Sequence, residues 1–221
     1  LLNLIKFKLK RMENRSGVDA ALLKWLFEHG AVFPKLEWPS FATVSGVRGV
    51  VALDDIAPGE KMIFVPQKLM ITPPLAEASA ELGDVYAACP AVFGTENHGR
   101  DDYILCVYLM HHMLDPESFW RPYLDSLPEP SSCSDWSDTE LTALHDGTFE
   151  SLVREHIAEL REEYEYLMTP LCARFPLRFD LARFGFALFQ KCWMTIQGKH
   201  MRVKICILFF IISYDSILHL I

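Results

Sequence analysis

The sequence of 221 residues has no excess of basic side chains. It contains 21 Lys and Arg against 29 Asp and Glu, which gives a formal net charge of −8. Proteins whose main partner is nucleic acid need a basic face to neutralise phosphates, so this class is not expected here. Internal repeats and low-complexity linkers are also missing. The length and a hydrophobic content of 51% predict a globular protein that can bury a good core.

Paired cysteines and metal-ligand spacings are missing as well. None of the six cysteines forms a CxxC pair, and no His/Cys cluster has the spacing of a zinc site. This pattern predicts that the protein holds no metal, that its thiols are reduced and that it is intracellular. It does not distinguish cytoplasm, nucleus and plastid. Cys106, Cys172 and Cys192 lie in apolar runs, which predicts that they belong to the core.

Motifs for covalent or phosphate chemistry are not found. Ser45 has no evident Ser-His-Asp partners, and the glycine-containing stretch SGVRG lacks the lysine of a P-loop. His111 and His112 are adjacent on a predicted helix and cannot face one ligand together, so we expect one buried and one solvated. Glu162 and Glu163 are typical of a solvated helix face.

The two ends of the sequence differ from the rest. The opening is a poor signal peptide, because its charges follow the apolar residues and no small-residue cleavage site appears. Residues 1–16 are interpreted as a disordered or non-native start, with Met12 as the natural first residue. Residues 202–221 are apolar but include Asp215, which makes membrane spanning costly. They are interpreted as a divergent, non-native terminus, with a membrane anchor as the alternative.

The stretch from Ser45 to Pro66 predicts two short strands joined by a turn. Residues 50–53 and 62–65 are apolar runs, and Asp, Pro and Gly between them supply turn chemistry. Gly46 and Gly49 flank Arg48 before the first run, and glycine lets a backbone pass close to a ligand. The alternative is an ordinary hairpin with a glycine bulge. Further strands are predicted at 41–44 and 69–71.

The remainder of the chain is predicted to be mainly helical. Ser137 and Glu140 form a capping-box pattern, and Trp120 and Tyr123 are expected to pack against the strands. A loop is predicted at 89–99. The longest helix should turn Leu152, Ile157, Leu160, Tyr164 and Leu167 inward. Predicted helices cover residues 18–29, 75–82, 101–113, 138–145, 147–168 and 180–197. Strands followed by a helical block predict an α+β fold.

Four segments in this order resemble the SET-domain protein methyltransferases typified by the Rubisco large-subunit lysine methyltransferase. They are RGVVALDDIAPGEKMIFVPQKLMIT (48–72), SFWRPYLDSLPEP (118–130), DWSDTELTAL (135–144) and FGFALFQKCWMTIQGKHM (184–201). The resemblance implies a partial SET domain over residues 17–201, with a helical insertion at about 75–183. The C-terminal half of the SET domain and the helical substrate-binding domain of the family are not expected in this chain.

The resemblance also implies a binding site for S-adenosyl-L-methionine. The family lays the loop before its first strand along the cofactor, which corresponds to Gly46, Val47, Arg48 and Gly49. Glycine is usual in the family where Val47 stands. An arginine at the end of the fourth segment also contacts the cofactor, and Lys199 takes its place here. Lysine keeps the charge but loses the planar fork that fits a carboxylate.

Residues 200–221 contain neither the Asn-His pair nor the tyrosine that complete the family's site. We therefore assign no catalytic residue and expect the chain as given to be truncated and inactive. The implied reaction is methylation of a lysine, or less often a histidine, in a protein substrate. The alternative function is a non-catalytic interaction module, or pseudoenzyme, derived from a SET domain.

Overall fold

The computed structural model describes residues 17–40, 49–130, 132–143, 145–203 and 206–209. Its elements in chain order are α1 (Gly17–Glu28), β1 (Leu36–Ser40), β2 (Gly49–Ala52), α2 (Pro73–Glu77), α3 (Gly83–Ala88), α4 (Pro90–Phe93), α5 (Arg100–Leu114), α6 (Arg121–Leu124), α7 (Asp138–Ala143), α8 (Gly147–Arg174), α9 (Phe186–Lys199), β3 (His200–Val203) and β4 (Cys206–Phe209). Short 3-10 turns lie at Gln67–Leu69 and Cys133–Asp135. The α+β character expected from the sequence is confirmed.

The chain divides into two compact units. The first, called the strand unit, contains residues 1–72, 116–127 and 199–221. The second, called the helical unit, contains residues 73–115 and 128–198. The insertion boundaries of about 75 and 183 stay a prediction.

In the strand unit, β1 and β2 form an antiparallel pair. Leu36 is opposite Ala52 and Ser40 is opposite Gly49, with a register irregularity between Glu37 and Ser40. Leu36, Trp38 and Ser40 alternate toward the interior, so one face of β1 is buried. β3 and β4 form a second antiparallel pair.

The predicted pairing of residues 50–53 with residues 62–65 is wrong. β2 pairs with β1 instead, and the second apolar run contributes a single bridge from Phe64 to Val32. Two backbone hydrogen bonds of 2.8 Å join those two residues. Leu53, Met62 and Phe64 are exposed. The strand predicted at 69–71 is also wrong, because Gln67–Leu69 is a 3-10 turn. The strand predicted at 41–44 lies outside the described residues.

α1 matches its predicted boundaries, and Gly30 ends it with a φ of 96°, which glycine adopts at little cost. The segment that contains Phe119 and Trp120 packs on this helix. The ring centroid of Trp25 lies 5.2 Å from that of Phe119 and 5.8 Å from that of Trp120. Trp120 and Tyr123 are buried, and Trp120 packs on α1; their packing against the strands stays a prediction.

The helical unit has its core between α5, α8 and α9. The ring of Phe189 lies 5.5 Å from Tyr164 and 5.4 Å from Trp193, by centroids. Cys106 and Cys192 are fully buried, as predicted, and burial raises the pKa of both thiols. Cys172 is only half-buried.

Several helix boundaries differ from prediction. Residues 75–82 hold only the end of α2 and a turn, and the loop predicted at 89–99 contains α4. α9 begins at residue 186 rather than 180. α8 continues six residues beyond the predicted end and includes Pro170. The proline removes one backbone donor, but Leu167, Met168 and Leu171 are buried beside it and stabilise that turn.

The inward face of α8 is partly as predicted. Leu160 and Leu167 are buried, whereas Leu152 is exposed and its neighbour Val153 is buried in its place. The capping box before α7 is confirmed. The Glu140 carboxylate accepts the backbone N–H of Ser137 at 2.8 Å, and the Ser137 hydroxyl accepts the N–H of Glu140 at 3.3 Å. Hydrogen bonds from Ser137 lower the pKa of Glu140.

Candidate functional site

The candidate site begins at the base of the β1–β2 pair. Ser40 and Gly49 are partners in the ladder, and residues 41–48 connect them in the sequence. The ladder thus places Ser40 and Gly49 opposite each other. Gly49 is buried at the start of β2 and carries no side chain.

Of the five residues predicted to bind the cofactor, Gly46, Val47 and Arg48 lie outside the described residues. Gly49 opens β2, and Lys199 is the last residue of α9. Both fall in the strand unit. A cation at a helix C-terminus is favoured by the helix dipole. The assignment of all five to a cofactor stays a prediction.

A lysine clamp supports the other end of β2. The Lys35 ammonium donates to the Glu60 carboxylate at 2.8 Å and to the Asp55 carbonyl at 2.6 Å. Glu60 also accepts the N–H of Ala57 at 3.0 Å. These bonds close the turn that follows β2, in which Gly59 takes a φ of 80°. The hydrogen bond between Lys35 and Glu60 lowers the pKa of Glu60 and raises the pKa of Lys35.

A small cavity of about 20 Å³ lies between α1 and the strands. Its lining is entirely apolar and consists of Leu26, Ala31, Phe33, Leu36, Trp38, Val50, Ile63 and Val65. The volume is about that of one water probe, and a water needs two or more polar partners to stay. The cavity therefore cannot accept a nucleoside, and it is a packing defect rather than a ligand site.

One acidic position, Glu163, behaves differently from expectation, whereas the His111–His112 pair does not. Glu163, predicted to be solvated, accepts a hydrogen bond from the hydroxyl of Tyr103 on α5. Burial and this carboxylate together raise the pKa of Tyr103. No sequence signal could have identified the bond, because 60 residues separate the partners. His112 is buried and His111 half-buried, close to the predicted division.

The sequence contains one Asn-His pair, at residues 97 and 98, in the turn before α5. The Asn97 amide donates to the Val92 carbonyl at 2.7 Å and its oxygen accepts the N–H of Gly99 at 3.0 Å. Both groups are thus used to build the turn. Asn97 therefore has a structural role, and the neighbouring His98 is exposed.

The sequence and the fold are each similar to those of known proteins. No family model matches the sequence. The actin-histidine N-methyltransferase of Rhinolophus ferrumequinum is 34% identical over 107 residues, which cover 48% of this chain and 17% of that protein. The N-lysine methyltransferase setd6 of Xenopus laevis is 27% identical over 150 residues, or 66% of this chain and 31% of that protein.

The structure of Rubisco LSMT bound to AdoMet superposes with a TM-score of 0.63 at 22% identity, covering 89% of this chain and 43% of that one. The SET domain of LSMT bound to lysine and AdoHcy gives a TM-score of 0.64 at 23% identity. The chain is similar to SET-domain protein methyltransferases. The resemblance drawn from the four segments is thereby confirmed.

The likeness to the solved structures shows the SET-domain fold over the shared part. This chain spans less than half the length of the relatives and structures it matches. In the part of the chain that the structure describes, every helix is too short or too polar to cross a membrane. Within the same ranges, no group of three or more His, Cys, Asp or Glu could hold a metal ion.

Proposed function

We propose that this SET-domain chain belongs to an enzyme that moves a methyl group from S-adenosyl-L-methionine to a side-chain nitrogen of another protein. The observation that carries the proposal is the Ser40–Gly49 pairing, which anchors the residue 41–48 connection, in a fold shared with a protein solved with AdoMet bound. The lysine- and histidine-specific relatives supply the two acceptor classes.

The residues at the site fit the cofactor in chemical terms. S-adenosyl-L-methionine carries an α-carboxylate, and Arg48 and Lys199 offer cations to it. Gly46 and Gly49 present backbone with no side chain in the way. A monodentate Lys199 binds a carboxylate less specifically than a bidentate arginine. We therefore assign carboxylate recognition to Arg48 and Lys199, and close backbone contact to Gly46, Val47 and Gly49.

The chemistry asks for alignment more than for reactive protein groups. The cofactor supplies an electrophilic methyl on sulfur, so the acceptor nitrogen forms the N–C bond while the C–S bond breaks. Free lysine has a pKa near 10.4, so the acceptor must lose its proton to solvent before it reacts. Desolvation lowers the pKa of the amine and favours its neutral form. Rigid strands that position the cofactor supply much of the remaining rate.

The test uses the natural gene product that contains these 221 residues, mixed with radiolabelled S-adenosyl-L-methionine and a protein extract. We expect label on protein, with methyl-lysine or methyl-histidine found after hydrolysis. Lys199→Ala should raise the KM for the cofactor about tenfold, because it removes a charge-assisted contact worth roughly 1.4 kcal/mol or more. Lys199→Arg should restore or improve it.

Lys24→Ala is the matched control, since Lys24 is exposed on α1 and forms an ion pair with Glu28 one turn away. The proposal is wrong if no label is transferred. The assignment of Lys199 is wrong if Lys199→Ala and Lys24→Ala give the same KM.

A further inference from the structure

An exposed aromatic corner lies in the helical unit, at the start of α7 and α8. Trp136 is 41% exposed, Phe149 37% and Leu152 59%. The ring centroids of Trp136 and Phe149 are 6.5 Å apart. Leu152 follows Phe149 by three residues on the same helix, which places the two on one face. We call these three side chains the aromatic corner.

The aromatic corner is not core that failed to pack. Leu141 on α7 and Val153 on α8 are buried, so each of the two helices already has its own inward side chain. Single exposed apolar residues are common on protein surfaces. Three neighbouring ones form a patch, and such patches are typical of interaction sites.

The corner is also held rigidly. The Asp146 carboxylate caps α8 by accepting the N–H of Thr148 at 3.1 Å and of Phe149 at 3.0 Å. The Ser137–Glu140 capping box fixes the residue next to Trp136. A surface whose backbone is already ordered loses little entropy when a partner binds.

The surroundings of the corner are strongly acidic. Residues 132–155 contain six carboxylates and one cation, a net of −5 within a chain whose total is −8. The cation, Arg154, is shared between Asp138 at 2.7 Å and Glu150 at 2.9 Å. The carboxylates are those of Asp135, Asp138, Glu140, Asp146, Glu150 and Glu155.

We propose that the aromatic corner binds a cationic peptide segment of a partner protein, with one or two large apolar side chains placed between lysines or arginines. The apolar side chains would lie on Trp136, Phe149 and Leu152, and the cations would meet the acidic rim. Aromatic side chains at the centre and charges at the rim are the usual anatomy of such a contact. Indole and phenyl faces also attract cations directly.

Charge excludes the other occupants. Nucleic acid and anionic lipid surfaces carry the same sign as the rim and would be repelled. A symmetric contact between two copies of the chain would bring two such acidic corners together, because equivalent patches meet in a twofold interface. The peptide interaction needs no methyl transfer, so it is independent of the function proposed above.

The test measures fluorescence anisotropy of a labelled synthetic peptide titrated with the 221-residue chain. The peptide has lysines on both sides of two phenylalanines. We expect a Kd on the order of 10 µM, typical of a small transient contact, at about 50 mM salt. Raising the salt to about 500 mM should weaken binding several-fold, since it screens exposed charges. Replacing either the phenylalanines by serine or the lysines by glutamine in the peptide should weaken it about tenfold.

The protein variants separate the corner from apolar exposure in general. Phe149→Ser with Leu152→Ser should weaken binding about tenfold. Leu177→Ser is the matched control, because Leu177 is 99% exposed in the same unit and lies outside the corner. Circular dichroism should show unchanged helix content in both proteins.

Three results would overturn the proposal. One is no anisotropy change at 100-fold the expected Kd. Another is equal affinity of the corner variant and Leu177→Ser. The third is a concentration-dependent dimer, in sedimentation, that the corner variant abolishes; this would assign the corner to self-association instead.

Discussion

The strand unit and the helical unit both contain fully buried and exposed apolar side chains, and they differ in what surrounds their cores. In the helical unit, Phe189, Cys192 and Ile196 of α9 are completely buried by neighbouring helices. In the strand unit, Val32, Leu53 and Phe64 stay about half exposed, and an apolar cavity lies beneath the strands. Helices close their own backbone hydrogen bonds, whereas a two-stranded sheet leaves edges and one face to be completed.

The difference indicates that the helical unit is the more self-sufficient of the two. A large-to-small core substitution there should lower the free energy of unfolding by the full amount expected for a new cavity. The same kind of substitution in the strand unit should cost less, because its interior is already loosely filled.

The largest effect is expected for Phe189→Ala. The ring of Phe189 is fully buried and contacts the rings of Tyr164, Phe186 and Trp193. Its removal should destabilise the helical unit by about 3–5 kcal/mol. Amide hydrogen exchange followed residue by residue should show lost protection in α5, α8 and α9. Leu177→Ala, at a fully exposed site, should change protection by less than about 0.5 kcal/mol.

In the helical unit, the free energy of unfolding should depend on pH, with a change of up to about 3 kcal/mol. Burial, with a smaller contribution from the neighbouring His111, lowers the pKa of His112 to about 4, while Glu81 and Asp115 act in the opposite direction. The unfolded state, with an ordinary pKa near 6.5, binds the proton first. Stability should therefore fall as the pH drops from about 6.5 to 4.

Urea titrations across this pH range test the assignment to His112. His112→Gln removes the titrating group, and its free energy of unfolding should depend less on pH than that of the natural chain. An unchanged pH slope in this variant would assign the effect to another residue. His156→Gln is the control, since His156 is exposed on α8.

A smaller loss is expected for Leu36→Ala in the strand unit. Leu36 is buried but lines the existing cavity, so fewer contacts are lost than at Phe189. We expect about 2 kcal/mol, the low end of the range for such substitutions. Exchange protection in α1, β1 and β2 measures it. A cost equal to that of Phe189→Ala would remove the contrast between the two units.

The smallest effect, and the only gain, is expected for Val50→Ile. The added methylene enters the cavity from β2, where a β-branched residue is retained. Cavity filling of this kind commonly stabilises a protein by about 0.5 kcal/mol or more. Thermal unfolding should shift upward by a few degrees. A lower unfolding temperature would show that the residues around the cavity cannot adjust to the added methylene.

The sequence predicted the elements whose signals are local. The bounds of α1 and α5, to within one residue at each end, and the Ser137–Glu140 cap were predicted, since each depends on neighbouring residues. The strand pairing was not, because β1 contains Pro39, which argues against a strand from sequence alone. The proline is tolerated in a two-stranded sheet, where each strand has a free edge.

Long-range features were beyond the sequence pattern. Leu152 was predicted to face inward, but the buried face of α8 is shifted by one residue, so that Val153 is buried and Leu152 is exposed. Tyr103 and Glu163 meet only because α5 and α8 pack together. At the candidate site, the pairing of Gly49 with Ser40 became evident only once β1 was known. The roles of Gly46, Val47 and Arg48 rest on the family resemblance.

The Ser40–Gly49 pairing also bears on how this region could change over evolutionary time. The buried faces of Leu36 and Trp38 specify the strand register, so residues 41–48 need not do so. The entropy of closing a connection rises only by about 0.6 kcal/mol for each doubling of its length. Residues could thus be exchanged or inserted there while the strands stay paired. Such an arrangement allows the sequence between the two strands to change while their pairing is kept.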